Sequence, residues 1–162
     1  MSVLHFHVDE VLEMAVQIER NGARFYHRAA QGVDNPRVNQ LFLDLAAMEE
    51  QHEKVFVDMR TELSQGTWAA ASPVDEQEIS YLKAWADGHV FDVKKDLVER
   101  LSGKEAAGDI LRMAIGLEKD SIVFYVGIKE AVPEGTAQDR IDAIISEEMN
   151  HITTLSKQLA SQ

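Results

Sequence analysis

The sequence predicts an all-α fold: an antiparallel four-helix bundle in which a long crossover containing short helices joins the second helix to the third. Helices are predicted because apolar residues recur at helical spacing in four long segments and the 162 residues include three prolines. Residues 66–101 form a segment that is too long for a tight turn, and it separates two helical hairpins at 9–65 and 102–160. The predicted connectivity follows from this arrangement. One domain spanning 1–162 is expected.

The first hairpin has clear helix boundaries in its sequence. Its first helix is predicted over Asp9–Ala30, and Gly32 ends it. Asn35 has the residue type of an N-cap and Pro36 that of a first-turn proline, so the second helix is predicted to begin there. The apolar pattern of this helix fades after residue 65.

The crossover contains signals for two short helices. One is predicted to start near Asp75, with Tyr81, Leu82 and Trp85 on one face, and the other covers Val93–Leu101. Apolar residues outside a bundle often mark subunit contacts, so the crossover aromatics are interpreted as a hydrophobic cover or a subunit interface. A homodimer is predicted on the basis of three of them: Trp68, Tyr81 and Trp85.

The second hairpin is predicted to begin at Ser102, because Ser102 and Glu105 have the spacing of a capping box. Its first helix should be interrupted at Pro133. Thr136 is predicted as the N-cap of the last helix, whose apolar pattern continues to Leu159.

An internal repeat relates the two hairpins without a gap. Each hairpin carries a lone glutamate, a tyrosine seven residues later and, 30 residues after the glutamate, the start of a Glu-x-x-His motif. A shift of 99 residues superposes the equivalent residues: Glu19 on Glu118, Tyr26 on Tyr125, Glu49 on Glu148 and His52 on His151.

The repeated residues have the pattern of a two-metal site. Residues i and i+3 lie on nearly the same face of a helix, so each Glu-x-x-His motif can bind one edge of a metal cluster. Glu19 and Glu118 can bridge two ions between the hairpins, and two divalent cations would neutralise four buried carboxylates. The predicted ligands are Glu19, Glu49, His52, Glu118, Glu148 and His151. Tyr26 and Tyr125 are either core aromatics or donors that orient a ligating carboxylate.

The composition excludes several other classes of site. The net charge is −12 and no basic stripe is present, which argues against nucleic acid and against anionic membrane surfaces. The absence of cysteine excludes disulfides, thiolate catalysis and Fe–S clusters. With no signal peptide and no apolar span in the sequence, a cytoplasmic protein is expected. Surface or capping roles are expected for four further histidines: His5, His7, His27 and His89.

At its metal-ligand motifs the sequence resembles the ferritin-like superfamily, and within it the rubrerythrins. The resemblance covers Asp9–Gln65 and Ser102–Leu159. It implies a ferritin-like bundle in which the six predicted ligands bind two iron ions and the two tyrosines support them. It also implies reduction of peroxide, or oxidation of ferrous iron by dioxygen or peroxide. Rubrerythrins carry a cysteine-bound iron in a rubredoxin-like domain that this chain lacks, and Ser121 stands where they have an additional glutamate.

Three hypotheses about function follow. The first is an oxidoreductase that reduces peroxide or dioxygen at two iron ions, with electrons from an external donor. The second is an iron-binding, ferrous-iron-oxidising or metal-handling protein with little peroxidase turnover. The third is a structural helical dimer that keeps an ancestral site, which six intact ligands disfavour. Manganese or a mixed pair of metals suits the same carboxylate and imidazole ligands.

Overall fold

The computed structural model describes residues 3–68, 76–77, 80–82, 84 and 101–162, with side chains from Val8 onward. All regular secondary structure in these residues is helical, which confirms the predicted all-α fold. Four long helices form the bundle: α1 Val3–Gln31, α2 Pro36–Ser64, α3 Ala107–Ala131 and α4 Thr136–Ala160. Among the described residues, no helix is both long and apolar enough to span a membrane.

The first hairpin follows the predicted boundaries closely. The side chain of Asn35 accepts hydrogen bonds from the backbone N–H groups of Arg37 (2.9 Å) and Val38 (3.4 Å), so it caps α2 as predicted. Gly66, just beyond α2, has a φ of 70° that favours glycine. Helix α1 begins six residues before the predicted Asp9, because residues 3–8 contain no glycine or proline to stop it.

The predicted start of the third helix at Ser102 is wrong, because α3 begins at Ala107. The capping-box residues do interact, since Glu105 accepts hydrogen bonds from the backbone N–H groups of Ser102 (2.7 Å) and Gly103 (3.1 Å). However, Gly103 has a φ of 81°, which a right-handed helix does not allow. These contacts therefore stabilise a turn, and the N-cap position, Ala106, makes no side-chain hydrogen bond.

The predicted N-cap of the last helix also shifts by one residue. Thr136 is the first residue of α4, and the N-cap position belongs to Gly135, which has a φ of 96°. Glycine adopts this conformation without the steric penalty of a Cβ atom. The chain turn between α3 and α4 therefore depends on backbone freedom and not on a side-chain cap.

The helices pack as two hairpins, α1 against α2 and α3 against α4, which then face each other. Large aromatic side chains fill the interior around the polar centre, and the largest that are fully buried include Phe25, Phe42, Phe56 and Phe124. Burying such a side chain stabilises the fold by roughly 1.5–3 kcal/mol relative to leaving it exposed. This apolar shell offsets the unfavourable burial of the charged groups described below.

Only part of the crossover can be compared with its prediction. Residues 76–77, 80–82 and 84 are helical, but Tyr81 is 60% exposed while Leu82 is 2% exposed, so the two do not share a buried face. Successive helix residues point about 100° apart, which explains the difference. Trp68 is half-buried, and its indole N–H donates to Glu62 (3.2 Å). Trp85 and residues 93–100 lie outside the described residues, and the homodimer stays a prediction.

Candidate metal centre

The centre of the bundle contains a cluster of acidic and imidazole side chains that are at most 3% exposed. Helices α1 and α3 each contribute one glutamate, and α2 and α4 each contribute one Glu-x-x-His motif. Because the motif residues are one helical turn apart, both side chains of each motif point to the same centre. The structure therefore brings together all six predicted residues: Glu19, Glu49, His52, Glu118, Glu148 and His151.

Within the described residues, the cluster divides into two overlapping sets of four possible ligands. The first set comprises Glu19, Glu49, His52 and Glu148, and the second comprises Glu49, Glu118, Glu148 and His151. The ligand atoms of each set lie within 4.8 Å of one another. Two metal positions that share two carboxylates are the simplest interpretation of this overlap.

Glu49 and Glu148 belong to both sets, whereas Glu19 and Glu118, which the sequence suggests as bridging ligands, each belong to one set. A tyrosine hydroxyl bonds one oxygen of Glu19 and one of Glu118, so that each has one unpaired oxygen. By contrast, both oxygens of Glu148 are buried without a hydrogen bond of acceptable geometry, and they face the two histidines. Both oxygens of Glu148 are therefore available to cations, whereas each lone glutamate also holds a tyrosine hydroxyl.

The two imidazole rings present the same nitrogen to the carboxylates. Nδ1 of His52 lies 3.1 Å from Oε1 of Glu148 and 3.5 Å from Oε2 of Glu19. Nδ1 of His151 lies 2.8 Å from Oε2 of Glu148 and 3.4 Å from Oε1 of Glu49. Glu148 therefore lies between the two histidines, whose ring centroids are 5.8 Å apart. Nδ1 is the nitrogen of each ring that faces the centre.

Several buried polar atoms at the centre lie close to one another but make no hydrogen bond of acceptable geometry. Buried polar atoms in folded proteins are nearly always hydrogen-bonded, so a group of unsatisfied ones requires an explanation. Among the described residues, seven such atoms belong to this cluster: Oε2 of Glu19, Oε1 of Glu49, Nδ1 of His52, Oε2 of Glu118, both oxygens of Glu148 and Nδ1 of His151. Five are carboxylate oxygens and two are imidazole nitrogens, a donor set that suits divalent transition metals. The residues present therefore fit a di-metal site.

The tyrosines connect the two hairpins at this centre. The hydroxyl of Tyr26 on α1 donates to Oε1 of Glu118 on α3, and that of Tyr125 on α3 donates to Oε1 of Glu19 on α1. Both tyrosines are fully buried, and Tyr26 also stacks on Phe42 with ring centroids 6.0 Å apart. The two alternatives for these residues therefore hold together: they are core aromatics that also orient the lone glutamates.

The electrostatics of the metal-free centre favour bound protons or other cations. Burial and repulsion by Glu148 raise the pKa values of Glu49 and Glu118 well above the usual range. Burial alone would lower the pKa values of both histidines. Contacts with carboxylates, Glu148 and Glu19 for His52, prevail and raise them to about 11 for His52 and about 9 for His151. Divalent metals can replace these protons.

The shifted pKa values of both tyrosines and of Glu148 keep these groups in the protonation states that their contacts require. Burial and the neighbouring carboxylates raise the pKa values of Tyr26 and Tyr125 well above 10, so that both hydroxyls keep the proton they donate. Burial would raise the pKa of Glu148, but its contacts with His151 and His52 outweigh burial and lower it. The central carboxylate therefore stays ionised.

The outer nitrogens of the two histidines have different partners, which sequence reasoning missed. Nε2 of His52 lies 2.6 Å from Oε2 of Glu147, whereas Nε2 of His151 lies 3.3 Å from Sδ of Met48. Met48 and Glu147 are also related by the 99-residue shift. The sequence does contain a sign of this difference, because the residue before the motif glutamate is Met48 in one half and Glu147 in the other.

Two small residues also occupy equivalent positions next to the centre. A Cβ atom on Gly22 would lie 2.9 Å from Oε2 of Glu49, so glycine leaves the space that this carboxylate uses. In the other half the equivalent residue is Ser121, which is buried and donates to the backbone oxygen of Leu117 (3.0 Å). Outside the centre, exposed His27 contacts Glu50 (3.0 Å), which confirms its predicted surface role. The side chains of His5, His7 and His89 lie outside the described residues.

Comparisons with known proteins agree with the geometry of this centre. The family model for rubrerythrin matches residues 10–159. The fold is similar to the crystal structure of a protein from Thermotoga maritima that is provisionally assigned as a ferritin-like diiron-carboxylate protein. The TM-score is 0.69 and the sequence identity 26%, over 94% of each chain. No curated protein sequence is significantly similar to the chain.

Proposed function

The chain belongs to the rubrerythrin family, and we propose that it is a di-iron oxidoreductase that reduces peroxide or dioxygen with electrons from an external donor. The observation that carries the proposal is the convergence on one buried centre of seven ligand atoms that make no hydrogen bond of acceptable geometry. Imidazole and carboxylate ligands suit iron, and they also suit manganese or a mixed pair. The proposed ligands are the six clustered residues: Glu19, Glu49, His52, Glu118, Glu148 and His151.

Two bound ferrous ions would supply two electrons, enough to convert one hydrogen peroxide and two protons to two water molecules. Dioxygen would need four electrons and four protons, so the external donor would supply the second pair and would in each case restore the ferrous state. The protein's own residues hold the charge and the geometry. Four carboxylates balance two divalent cations, which makes the buried centre close to neutral. Tyr26 and Tyr125 keep Glu118 and Glu19 oriented, while the surrounding aromatic core limits the access of water.

An external electron donor is part of the proposal because of the composition. These 162 residues contain no cysteine and therefore no cysteine-bound iron that could pass electrons to the centre. The electrons would reach the centre from a donor outside these residues.

Ser121 favours a second candidate function, an iron-binding or ferrous-iron-oxidising protein with little peroxidase turnover. Rubrerythrins carry an additional glutamate at this position, and here the hydroxyl bonds to its own helix at the backbone oxygen of Leu117. Ser121 therefore supplies no carboxylate to the centre. The two candidates differ in whether the protein consumes peroxide repeatedly when a reductant is present.

The test is anaerobic loading with ferrous iron, followed by addition of hydrogen peroxide with and without a chemical reductant. Oxidation of both ions in one step, and many peroxide molecules consumed per chain with the reductant, would support the oxidoreductase. Consumption that stops after one equivalent would favour the second candidate. His52→Ala should bind less iron, whereas the matched control His27→Ala, at an exposed histidine, should behave as wild type. Equal behaviour of the two variants would overturn the proposed site.

A further inference from the structure

The outer partners of the two histidines break the symmetry of an otherwise repeated centre. Glu147 on α4 contacts Nε2 of His52 on α2 (2.6 Å), and Met48 on α2 contacts Nε2 of His151 on α4 (3.3 Å). Each contact crosses from one hairpin to the other. The backbone positions are equivalent in the repeat, so the difference lies in the chemistry of the two side chains.

The outer contact controls which ring nitrogen is available to a metal. A histidine that binds a metal through Nδ1 must carry its proton on Nε2. A carboxylate accepts that proton strongly, fixes this tautomer and makes the ring a better ligand. A thioether sulfur is a weak and uncharged acceptor, so it fixes the tautomer less firmly and strengthens the ligand less.

The charge of Glu147 acts in the same direction. It adds a carboxylate next to the first set of ligands, whereas Met48 adds no charge to the second. The side chain of Glu147 is 48% exposed, so solvent screens its long-range field. Its direct contact with His52 is less affected, because the ring is 3% exposed.

We propose that Glu147 and Met48 are positioning residues that make the two metal positions unequal, so that the position beside His52 fills before the position beside His151. The inference rests on the proposed two-metal site and adds an order of filling to it. Substitutions in the groups that support metal ligands typically change metal affinity by about 10–100-fold. Because Glu147 is partly exposed, we expect the lower end, about tenfold.

The experiment is a titration of metal-free protein with Mn²⁺, followed by electron paramagnetic resonance. In the wild type, the first equivalent should give the signal of isolated ions, and the second should convert it to that of a coupled pair. Crystals loaded with one equivalent and measured at the manganese absorption edge should show the anomalous peak beside His52. Location is the decisive observation, because repulsion between two cations weakens the second binding step even at equal sites.

Two substitutions exchange the outer partners between the halves. Glu147→Met should remove the preference for the His52 position, and Met48→Glu should strengthen binding beside His151 by about tenfold. The double exchange should move the first ion to the His151 position. Both residues are partly exposed, so the fold should tolerate the changes. Glu50→Met is the matched control, because exposed Glu50 follows a ligand but contacts His27.

The outcomes separate this inference from the proposed function. If no ion binds among the clustered carboxylates, the two-metal proposal itself fails. If two ions bind but the first divides evenly between the positions, or stays beside His52 after the double exchange, the inference is overturned while the two-metal site stands. If Glu50→Met shifts the first ion as strongly as Glu147→Met, general charge controls the order and the positioning role is wrong.

Discussion

The two hairpins of this protein carry the same inner groups and different outer ones. Glu19 and Glu118, and Tyr26 and Tyr125, make equivalent contacts across the bundle. The outer partners of the histidines differ, as does the pair Gly22 and Ser121. The two halves are therefore alike in the groups that converge on the charge centre, and they differ in the residues that contact those groups from outside. Substitutions in the two layers should accordingly have different effects.

The largest expected effect separates shared from unshared carboxylates. Glu148→Gln should abolish binding of both ions, because Glu148 belongs to both sets of ligands and has two unpaired oxygens. Glu19→Gln and Glu118→Gln should each weaken one ion, since each belongs to one set. Metal per chain, measured by mass spectrometry of native protein, checks this. Glu147→Gln, beside Glu148 in sequence, should retain two ions.

Equal losses in the Glu19, Glu118 and Glu148 variants would contradict the assignment of shared and unshared carboxylates. The glutamine substitutions are chosen because an amide oxygen can still accept from Tyr125 or Tyr26. A drop in metal content would then reflect the lost charge and ligand, not a hydroxyl left unsatisfied.

The second prediction compares the histidines through the pH dependence of metal-free stability. Because the folded pKa values of His52 (about 11) and His151 (about 9) exceed the unfolded value near 6.5, each stabilises the fold fully below about pH 6.5. This contribution is lost as pH rises through 9 and then 11. The melting temperature of the metal-free protein, measured in chelator, should therefore fall as the pH rises from 6.

Substituting each histidine in turn shows how much of this loss of stability it causes and over which pH range. His151→Gln should remove the part that ends near pH 9, and His52→Gln the part that extends towards pH 11. Metal-loaded protein should show the opposite trend, because metal binding displaces protons and strengthens as pH rises. A metal-free melting temperature that rises between pH 6 and 9 would contradict the sign of this prediction.

Much of the fold was predictable because its signals are local. Asn35 and Pro36 identify the start of α2 within a few residues, and the 3.6-residue period identifies the helices. Ser102 and Glu105 show the limit of such signals. Their hydrogen bonds form as a capping box would predict, but in a turn, because the conformation of Gly103 is invisible in a residue pattern.

The members of the metal centre were predictable, whereas the contacts between them were not. The repeat identifies the six clustered residues, but the helix that supplies a ligand does not determine whether it is shared. The contacts of Tyr26 and Tyr125 with the lone glutamates across the bundle are equally absent from the sequence pattern. Such contacts join residues 92 and 106 positions apart, and helical periodicity contains no information about pairs so distant.

The third prediction tests the equivalence of the tyrosines. Tyr26→Phe and Tyr125→Phe each remove a buried donor to a carboxylate, which should destabilise the metal-free protein by about 1.5–3 kcal/mol. Each should also weaken metal binding by about tenfold. Urea melts and Mn²⁺ titrations measure both effects. Tyr81→Phe, at a residue that is 60% exposed and not among the clustered ligands, is the control and should leave metal binding unchanged. A large difference between Tyr26→Phe and Tyr125→Phe would show that the two tyrosines are not equivalent.

The smallest expected effect concerns the space next to Glu49. In Gly22→Ala, the new Cβ atom would lie 2.9 Å from Oε2 of Glu49, so the carboxylate must move. Within a helix, alanine is otherwise favoured over glycine by about 0.5–1 kcal/mol. The variant should therefore keep or gain metal-free stability while its affinity for Mn²⁺ falls several-fold, since Glu49 belongs to both sets of ligands. Thermal melts in chelator and a metal titration measure the two effects separately.

Ser121→Ala is the matched change in the other half, and it should leave metal binding nearly unchanged. The hydroxyl that it removes bonds to the backbone of its own helix at Leu117 and contributes no ligand. Such a bond back to the preceding turn slightly destabilises a helix, so the cost of losing it should be small. If Gly22→Ala and Ser121→Ala weaken metal binding equally, the space beside Glu49 has no special role. If only Gly22→Ala weakens metal binding, the two halves also differ in how strongly metal binding depends on the space at this position.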